Sequence, residues 1–99
     1  MKLENRIALI TGGGRGIGRA IAFAFARDGA ELTLAARTAT QVEQVASEIT
    51  AETGVKTLPV ICDVSDLSSI QNLFAKVIEF FGRGPDILVN NAGLRKAHP

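Results

Sequence analysis

The sequence predicts an α/β fold in which parallel strands alternate with helices. Four short apolar segments with the character of buried strands are separated by three segments whose apolar residues recur at helical spacing. A second observation is the stretch ITGGGRGIGRA at 10–20, which places five glycines in seven positions between the first strand and the first helix. Such alternation implies a parallel sheet with right-handed crossover connections.

The first strand and the first helix flank the glycine-rich stretch. The segment IALIT at 7–11 is a continuous apolar run, as expected of a parallel strand that is buried on both faces. The helix after the glycines ends at RDG, where Gly29 can adopt the left-handed conformation beyond the C-cap. Its predicted apolar stripe consists of Ile17, Ala20, Ile21, Ala24 and Phe25.

The second strand, ELTLAA at 31–36, is followed by a helix with recognisable ends. Thr38 and Gln41 have the spacing of a capping box, and Gly54 closes the helix. An apolar stripe at helical spacing predicts the face that packs on the sheet. It consists of Val42, Val45, Ala46 and Ile49.

The third and fourth strands are KTLPVICDV at 56–64 and PDILVNNAG at 85–93. Between them, Ser65 or Asp66 can cap a third helix, which Gly82 ends. The stripe of this helix consists of Leu67, Ile70, Leu73, Phe74, Val77, Ile78 and Phe81. Right-handed crossovers put helices 1 and 2 on one face and helix 3 on the other, so the predicted strand order is 3-2-1-4.

Length and composition narrow the class of protein. The 99 residues suffice for one small domain, and 46% hydrophobic with 21% charged residues is typical of a globular protein. A net charge of +1 favours neither nucleic acid nor an anionic membrane as a partner. Cys62 has no cysteine to pair with and no set of metal ligands, and His98 is the only histidine. With no secretory pattern or spanning segment, we expect a cytoplasmic protein without a metal site.

The glycine-rich loop has the position of a phosphate-binding site. It joins a strand to a helix, whose N-terminus offers free N–H groups and a partial positive charge to an anion. Neither the P-loop spacing nor the GxGxxG fingerprint matches. The pattern present is Thr11-Gly12-x-x-x-Gly16-x-Gly18.

Three stretches together resemble the short-chain dehydrogenase/reductase family. They are TGGGRGIG at 11–18, CDVSD at 62–66 and NNAG at 90–93, each at the end of a predicted strand. The resemblance covers essentially the whole chain. It implies a Rossmann-type three-layer α/β/α domain, a nicotinamide dinucleotide, and hydride transfer to or from a carbonyl/alcohol pair.

The resemblance also implies roles for individual residues. Gly12, Gly16, Ile17 and Gly18 would border the pyrophosphate. Asp63 would accept a hydrogen bond from the adenine amino group beside the Val64 N–H, although a helix N-cap is the alternative role for Asp63. The adenine-side ribose would be lined by Asn90, Ala92 and Gly93, and Asn90 can equally tie the sheet end together.

The end of the second strand bears on the choice between NADP and NAD. An acidic residue there would hold the ribose 2′-hydroxyl of NAD, but the chain has Ala36 followed by Arg37. Arg15 lies in the glycine loop, where it can face the same 2′-phosphate, so we expect NADP rather than NAD. Gly14 completes the candidate cofactor-binding set, although many NADP-preferring members of the family have a hydroxyl residue at its position.

The catalytic residues of the family are not expected in this chain. The family uses a Tyr and a Lys four residues apart, with a Ser and an Asn, all beyond the fourth strand, and this sequence has no Tyr. We therefore expect residues 1–99 to be the incomplete N-terminal part of one Rossmann-fold domain, inactive alone, from an enzyme acting on a small carbonyl or alcohol and forming homo-oligomers. The alternative is a nucleotide-binding module, either stand-alone or completed by a partner.

Overall fold

Within residues 2–91, which the computed structural model describes, four strands and three helices alternate. Strands β1 and β2 have the predicted bounds, and β3 and β4 are shorter than predicted. The strands are β1 (Ile7–Thr11), β2 (Glu31–Ala36), β3 (Thr57–Ile61) and β4 (Ile87–Asn90), and the helices are α1 (Gly16–Arg27), α2 (Ala39–Thr53) and α3 (Leu67–Phe81).

The four strands form one parallel sheet in the predicted order β3-β2-β1-β4. The last residue of β1, Thr11, lies opposite Ala35 of β2 and Asn90 of β4. The carboxyl ends of these strands therefore meet at one edge of the sheet. The loops that follow β2 and β4 therefore begin beside the glycine-rich stretch.

The sheet is covered on both faces, as the handedness of the crossovers predicts. Ala8 and Ile10 of β1 pack in one buried cluster with residues of α1 and α2. Ile7 and Leu9 point to the opposite face, where Leu73 of α3 closes a second cluster. Successive residues of β1 thus contribute to opposite cores, as expected of a parallel strand that is buried on both faces.

The predicted apolar stripe of α1 is right for Ile21 and Phe25, which pack against the core, and wrong for its other three residues. Ile17 is 68% exposed, and Ala20 and Ala24 are also exposed. The buried residues of the helix are Gly18, Ala22, Phe23 and Ala26. Apart from Arg19, every residue of 16–26 is apolar or glycine, so hydrophobic periodicity does not define the rotation of this helix.

The other two helices follow their stripes to different degrees. The buried residues of α2 are exactly the four predicted, whereas α3 buries only Leu73 and Val77 fully. Three residues of the α3 stripe remain exposed, and Leu88 of β4 is 59% exposed. The three are Leu67, Phe74 and Ile78.

The helix ends confirm the predicted caps at Asp66, Gly54 and Gly82 and correct the one predicted at Thr38. The Asp66 side chain caps α3 by accepting from the Ser68 N–H, and α2 and α3 end at glycines in the left-handed conformation, as predicted. Thr38 occupies the N-cap position of α2, but its side chain makes no capping hydrogen bond. The capping box predicted from Thr38 and Gln41 is therefore absent.

Asp86 ties the amino end of β1 to the loop before β4. Its carboxylate accepts from the Ile7 N–H at 2.8 Å, and its own N–H donates to the Ile7 carbonyl at 2.8 Å. Arg83 donates to the same carboxylate. These contacts hold the pKa of Asp86 below its ordinary value, chiefly through the Ile7 hydrogen bond and then through Arg83.

Thr33, in the middle of β2, carries a buried hydroxyl. Its side chain is fully buried, and within residues 2–91 its Oγ1 has no hydrogen-bond partner. A buried polar atom without a partner is destabilising, because it loses its hydrogen bonds to water and regains none.

Candidate cofactor-binding site

The glycine loop folds tightly because two of its backbone segments meet. The Gly12 N–H donates to the Ala35 carbonyl at 2.7 Å, which carries the β1–β2 pairing into the loop. A Cβ on Gly18 would lie 2.0 Å from the Gly12 carbonyl oxygen. Only glycine fits at position 18, and this close approach fixes the rotation of α1 about its axis.

The loop presents the first turn of α1 to open space. Gly16 has a φ of 58°, and a Cβ placed on it would meet no atom within 4 Å. Arg15 occupies the N-cap position in an extended conformation, without a capping hydrogen bond from its side chain, and no acidic residue stands in the first turn. The first N–H groups of the helix therefore point to a surface that can receive an anion.

The middle of the loop packs against α2 and β2. Gly13 and Gly14 are both buried. A Cβ on Gly14 would lie 2.9 Å from Cβ of Gln41, and one on Gly13 would lie 3.1 Å from Cδ2 of Leu34. Gln41, predicted as part of a capping box, instead lies against the loop that carries Arg15.

Asn91, which sequence reasoning passed over, joins β4 to the glycine loop. Its backbone N–H donates to the Thr11 hydroxyl at 3.0 Å, and its side-chain amide donates to the Gly12 carbonyl at 3.2 Å. The Thr11 hydroxyl also lies 3.1 Å from Oδ1 of Asn90. Asn90 thus contributes to the hydrogen bonds at the sheet end, the alternative role considered for it.

Asp63 stands at the turn between β3 and α3. Its Oδ1 accepts from the Ser65 N–H at 3.0 Å and from the Ser65 hydroxyl at 2.7 Å. These bonds, with a smaller contribution from the charge of Arg37, hold the pKa of Asp63 below its ordinary value. Because Asp66 is the N-cap of α3, the N-cap role considered for Asp63 is wrong.

The candidate site has two arginines whose charges are not paired. Arg15 and Arg37 are exposed, and among the described residues neither forms an ion pair. In contrast, Arg19, Arg27 and Arg83 pair with Glu48, Glu52 and Asp86 respectively. The unpaired arginines lie in the glycine loop and directly after β2, at the carboxyl edge of the sheet.

Of the remaining candidate residues, two are exposed at the carboxyl edge of the sheet and two lie outside the described residues. Ile17 and Val64 are exposed at the same edge, Val64 by 38%. Ala92 and Gly93 lie outside the described residues. Cys62 is buried, as expected of a small core residue.

The residues present fit a dinucleotide. A helix N-terminus open to solvent, glycines that bring backbone N–H groups to the surface and two unpaired arginines suit a pyrophosphate with an additional phosphate. The half-buried carboxylate of Asp63 adds a hydrogen-bond acceptor at the same edge.

Two other kinds of site find no support in residues 2–91. No group of three metal-ligating side chains occurs there, and none of the described helices is long and apolar enough to cross a membrane.

An open groove of about 470 Å³ lies between α1 and α2, away from the glycine loop. Arg19 and Arg27 line it, and both are already paired with glutamates across the groove.

A parallel sheet of order 3-2-1-4 with a glycine-rich turn after β1 defines a Rossmann-like α/β protein. The family model for short chain dehydrogenases matches residues 6–99, and the chain belongs to that family of oxidoreductases. The resemblance drawn from the three sequence stretches is thereby confirmed.

Individual relatives agree with this assignment. The chain is 47% identical over 90 residues to "Probable 2,4-dienoyl-CoA reductase 3" of Caenorhabditis elegans, covering 91% of this chain and 29% of that protein. L-Sorbose reductase from Gluconobacter frateurii, solved with NADPH and L-sorbose, superposes with a TM-score of 0.90 at 37% identity, over 98% of this chain and 36% of that one. An alcohol dehydrogenase from Thermococcus sibiricus, complexed with 5-hydroxy-NADP, gives a TM-score of 0.80 at 43% identity, over 84% of this chain and 35% of that one.

Proposed function

We propose that the chain is the cofactor-binding part of an NADP-dependent oxidoreductase that transfers hydride between the nicotinamide and a carbonyl/alcohol pair. The observation that carries the proposal is the glycine loop, which opens onto the first turn of α1 beside two unpaired arginines. The chain spans 29% of the length of its C. elegans relative. The reaction, its small-molecule substrate and a homo-oligomeric, cytoplasmic state are therefore proposed for a whole protein that contains this chain.

The glycine loop holds the pyrophosphate in this proposal. Gly12, Gly16, Ile17 and Gly18 border it, and the N–H groups of the first turn of α1 donate to its oxygens. The cofactor, when bound, supplies the hydride-carrying nicotinamide. This chain binds and orients the rest of the dinucleotide, and the family's catalytic Tyr and Lys would come from outside residues 1–99.

Arg15 and Arg37 give the preference for NADP. The position after β2 carries no acid to bind the ribose 2′-hydroxyl, and the two arginines have no carboxylate partner within residues 2–91. A hydrogen bond to a charged group contributes about 1.5–3 kcal/mol, so two such bonds to a 2′-phosphate could produce a preference of about a hundredfold or more. Two similar structures, one complexed with NADPH and the other with 5-hydroxy-NADP, support this choice.

The adenosine lies, in the same proposal, along the carboxyl ends of β3 and β4. Asp63 accepts from the adenine amino group, and the Val64 N–H donates to the ring. Asn90, Ala92 and Gly93 line the adenine-side ribose. Gly14 contributes by letting the loop lie against α2, since a Cβ there would contact Gln41.

The test compares the dissociation constants of NADPH and NADH for the intact protein and its Arg37→Asp variant. We expect the wild type to prefer NADPH and the variant to reduce or reverse that preference. Lys76→Asp makes the same charge change on exposed α3 and serves as the matched control. Unchanged constants for both cofactors in Arg37→Asp would show that the assignment of Arg37 is wrong.

A nucleotide-binding module completed by a partner chain is the second candidate. It is favoured by the exposed apolar side chains Phe74, Ile78 and Leu88 on the α3 side of the sheet. The intact mass of the protein in its own cells separates the two candidates. A mass above that of the 99 residues, with this sequence inside it, favours the oxidoreductase, and a mass equal to theirs favours the module.

A further inference from the structure

Ser65 makes two hydrogen bonds to the Asp63 carboxylate. Both its backbone N–H and its hydroxyl donate to one oxygen of the carboxylate, Oδ1, at 3.0 and 2.7 Å. The backbone of Asp63 is held as well, because its N–H donates to the Ser69 hydroxyl at 2.9 Å and its carbonyl accepts from the Asp66 N–H at 3.0 Å. Main chain and side chain of Asp63 are thus both fixed by the turn that begins α3.

The contact leaves one carboxylate oxygen for a ligand. Within residues 2–91, every hydrogen bond to the Asp63 carboxylate ends on Oδ1. Oδ2 therefore keeps its capacity to accept, and the direction in which it accepts is set by the two bonds on the other oxygen. Asp63 is half-buried at the carboxyl edge of the sheet, where the proposed adenine position lies.

Arg37 is a competing partner for the Asp63 carboxylate, which is proposed to bind the adenine amino group. Its charge acts on the carboxylate, although the two side chains form no ion pair among the described contacts. A carboxylate free to rotate would be drawn towards this arginine and away from a neutral amino group, because a charged partner gives the stronger hydrogen bond. Such a pair would also engage the arginine proposed to hold the 2′-phosphate.

We propose that Ser65 is a positioning residue, which fixes the Asp63 carboxylate so that Oδ2 accepts from the adenine amino group and Arg37 stays available to the phosphate. The inference rests on the proposed function, since it assumes that adenine binds beside Asp63. It predicts that Ser65 affects recognition of one exocyclic group on the base.

The experiment measures the dissociation constants of NADPH and of its deamino analogue, in which hypoxanthine replaces adenine. The intact wild-type protein should bind NADPH more tightly, because the analogue has no amino group to donate. In Ser65→Ala this discrimination should fall about two- to tenfold, the range expected when one net hydrogen bond is lost. Ser65→Thr keeps the hydroxyl and should restore the discrimination.

Ser68→Ala is the matched control. Ser68 makes the same pair of contacts with Asp66, the N-cap residue of α3. Its backbone nitrogen and its hydroxyl oxygen both lie 3.1 Å from Oδ1 of Asp66. We expect this variant to lose some stability and to keep the wild-type discrimination. If Ser65 only stabilises the turn, Ser65→Ala should also lose some stability and keep the wild-type discrimination between the two cofactors. That outcome overturns the inference.

The outcomes also separate this inference from the proposal beneath it. Wild-type discrimination that persists unchanged in Ser65→Ala contradicts only the role of Ser65. Equal affinity of the wild type for NADPH and its deamino analogue contradicts the adenine contact of Asp63 and, with it, the role of Ser65. Failure to bind either cofactor contradicts the proposed function as a whole.

Discussion

The carbonyl oxygen of Gly12 lies 2.0 Å from the position that a Cβ on Gly18 would occupy. The two residues belong to different arms of the same loop, one leaving β1 and the other inside the first turn of α1. Their contact sets how closely the helix start approaches the strand end. It also turns Gly18 inwards, which brings Ala22 and Ala26 onto the buried face.

Gly18→Ala should therefore disrupt both the loop and the fold around it. Backbone must move to admit the methyl group, and overpacking of this kind costs about 1–3 kcal/mol of unfolding free energy. We expect cofactor affinity to fall as well, because the N–H groups of α1 shift. Chemical unfolding and NADPH titration measure the two effects. Gly84→Ala, whose Cβ would meet no atom within 4 Å, is the control, and equal behaviour of the two variants would contradict the prediction.

Gly14→Ser tests whether a hydroxyl in the loop improves NADPH binding in this chain. Its Cβ would lie 2.9 Å from Cβ of Gln41, so the loop or α2 has to shift. We expect the single variant to bind NADPH more weakly than the wild type. Adding Gln41→Gly removes the opposing Cβ and should recover affinity. Tighter binding by Gly14→Ser alone would mean that the contact with Gln41 does not limit the loop.

Asp86→Asn should change how stability depends on pH. Contacts with Ile7 and Arg83 lower the pKa of Asp86 below its ordinary value of 3.8. The stabilisation from the ionised group is therefore complete above 3.8 and is lost as the pH falls through the lowered pKa. The free energy of unfolding is measured at neutral and at acid pH. The variant should be less stable than the wild type at neutral pH and should lose less of its unfolding free energy on acidification. If the variant and the wild type lose the same unfolding free energy on acidification, other carboxylates are responsible for the loss.

Thr33→Val should stabilise the protein. The hydroxyl of Thr33 is buried without a hydrogen-bond partner within residues 2–91, and valine has nearly the same shape. Removing an unsatisfied polar atom should raise the free energy of unfolding by about 1 kcal/mol. Thr53→Val is the contrasting control. The Thr53 hydroxyl donates to the Ile49 carbonyl at 2.8 Å, so its removal should lower the free energy of unfolding. A fall in stability for Thr33→Val would point to a partner for its hydroxyl.

Local patterns in the sequence predicted most of this fold. The alternation of apolar runs and helical stripes predicted every element in residues 2–91, and the handedness of crossovers predicted the strand order. The stripe of α2 was clear because polar residues separate its apolar positions. In α1 the apolar residues surround the helix, so its rotation depends on the contact between Gly18 and Gly12, which no periodicity reveals.

The contacts that sequence reasoning missed all depend on tertiary register. Asn91 reaches Gly12 only because β4 pairs with β1 in one particular register. Asp86 meets Ile7 for the same reason at the other end of these strands. The Thr38 and Gln41 pair had the right spacing for a capping box, but packing of Gln41 on Gly14 prevailed over the local motif.

The hydrogen bond from Asn91 to Gly12 has a consequence for the order of folding. It joins residues 79 positions apart, so the glycine loop acquires its last constraint only after the intervening chain has folded and β4 has docked. Ile87 and Val89 of β4 also pack against the core, so the same docking step completes both the core and the loop. We therefore expect the loop to hold phosphate only when β4 is paired with β1. A ligand that binds only this form of the loop would stabilise the pairing of the two strands by mass action.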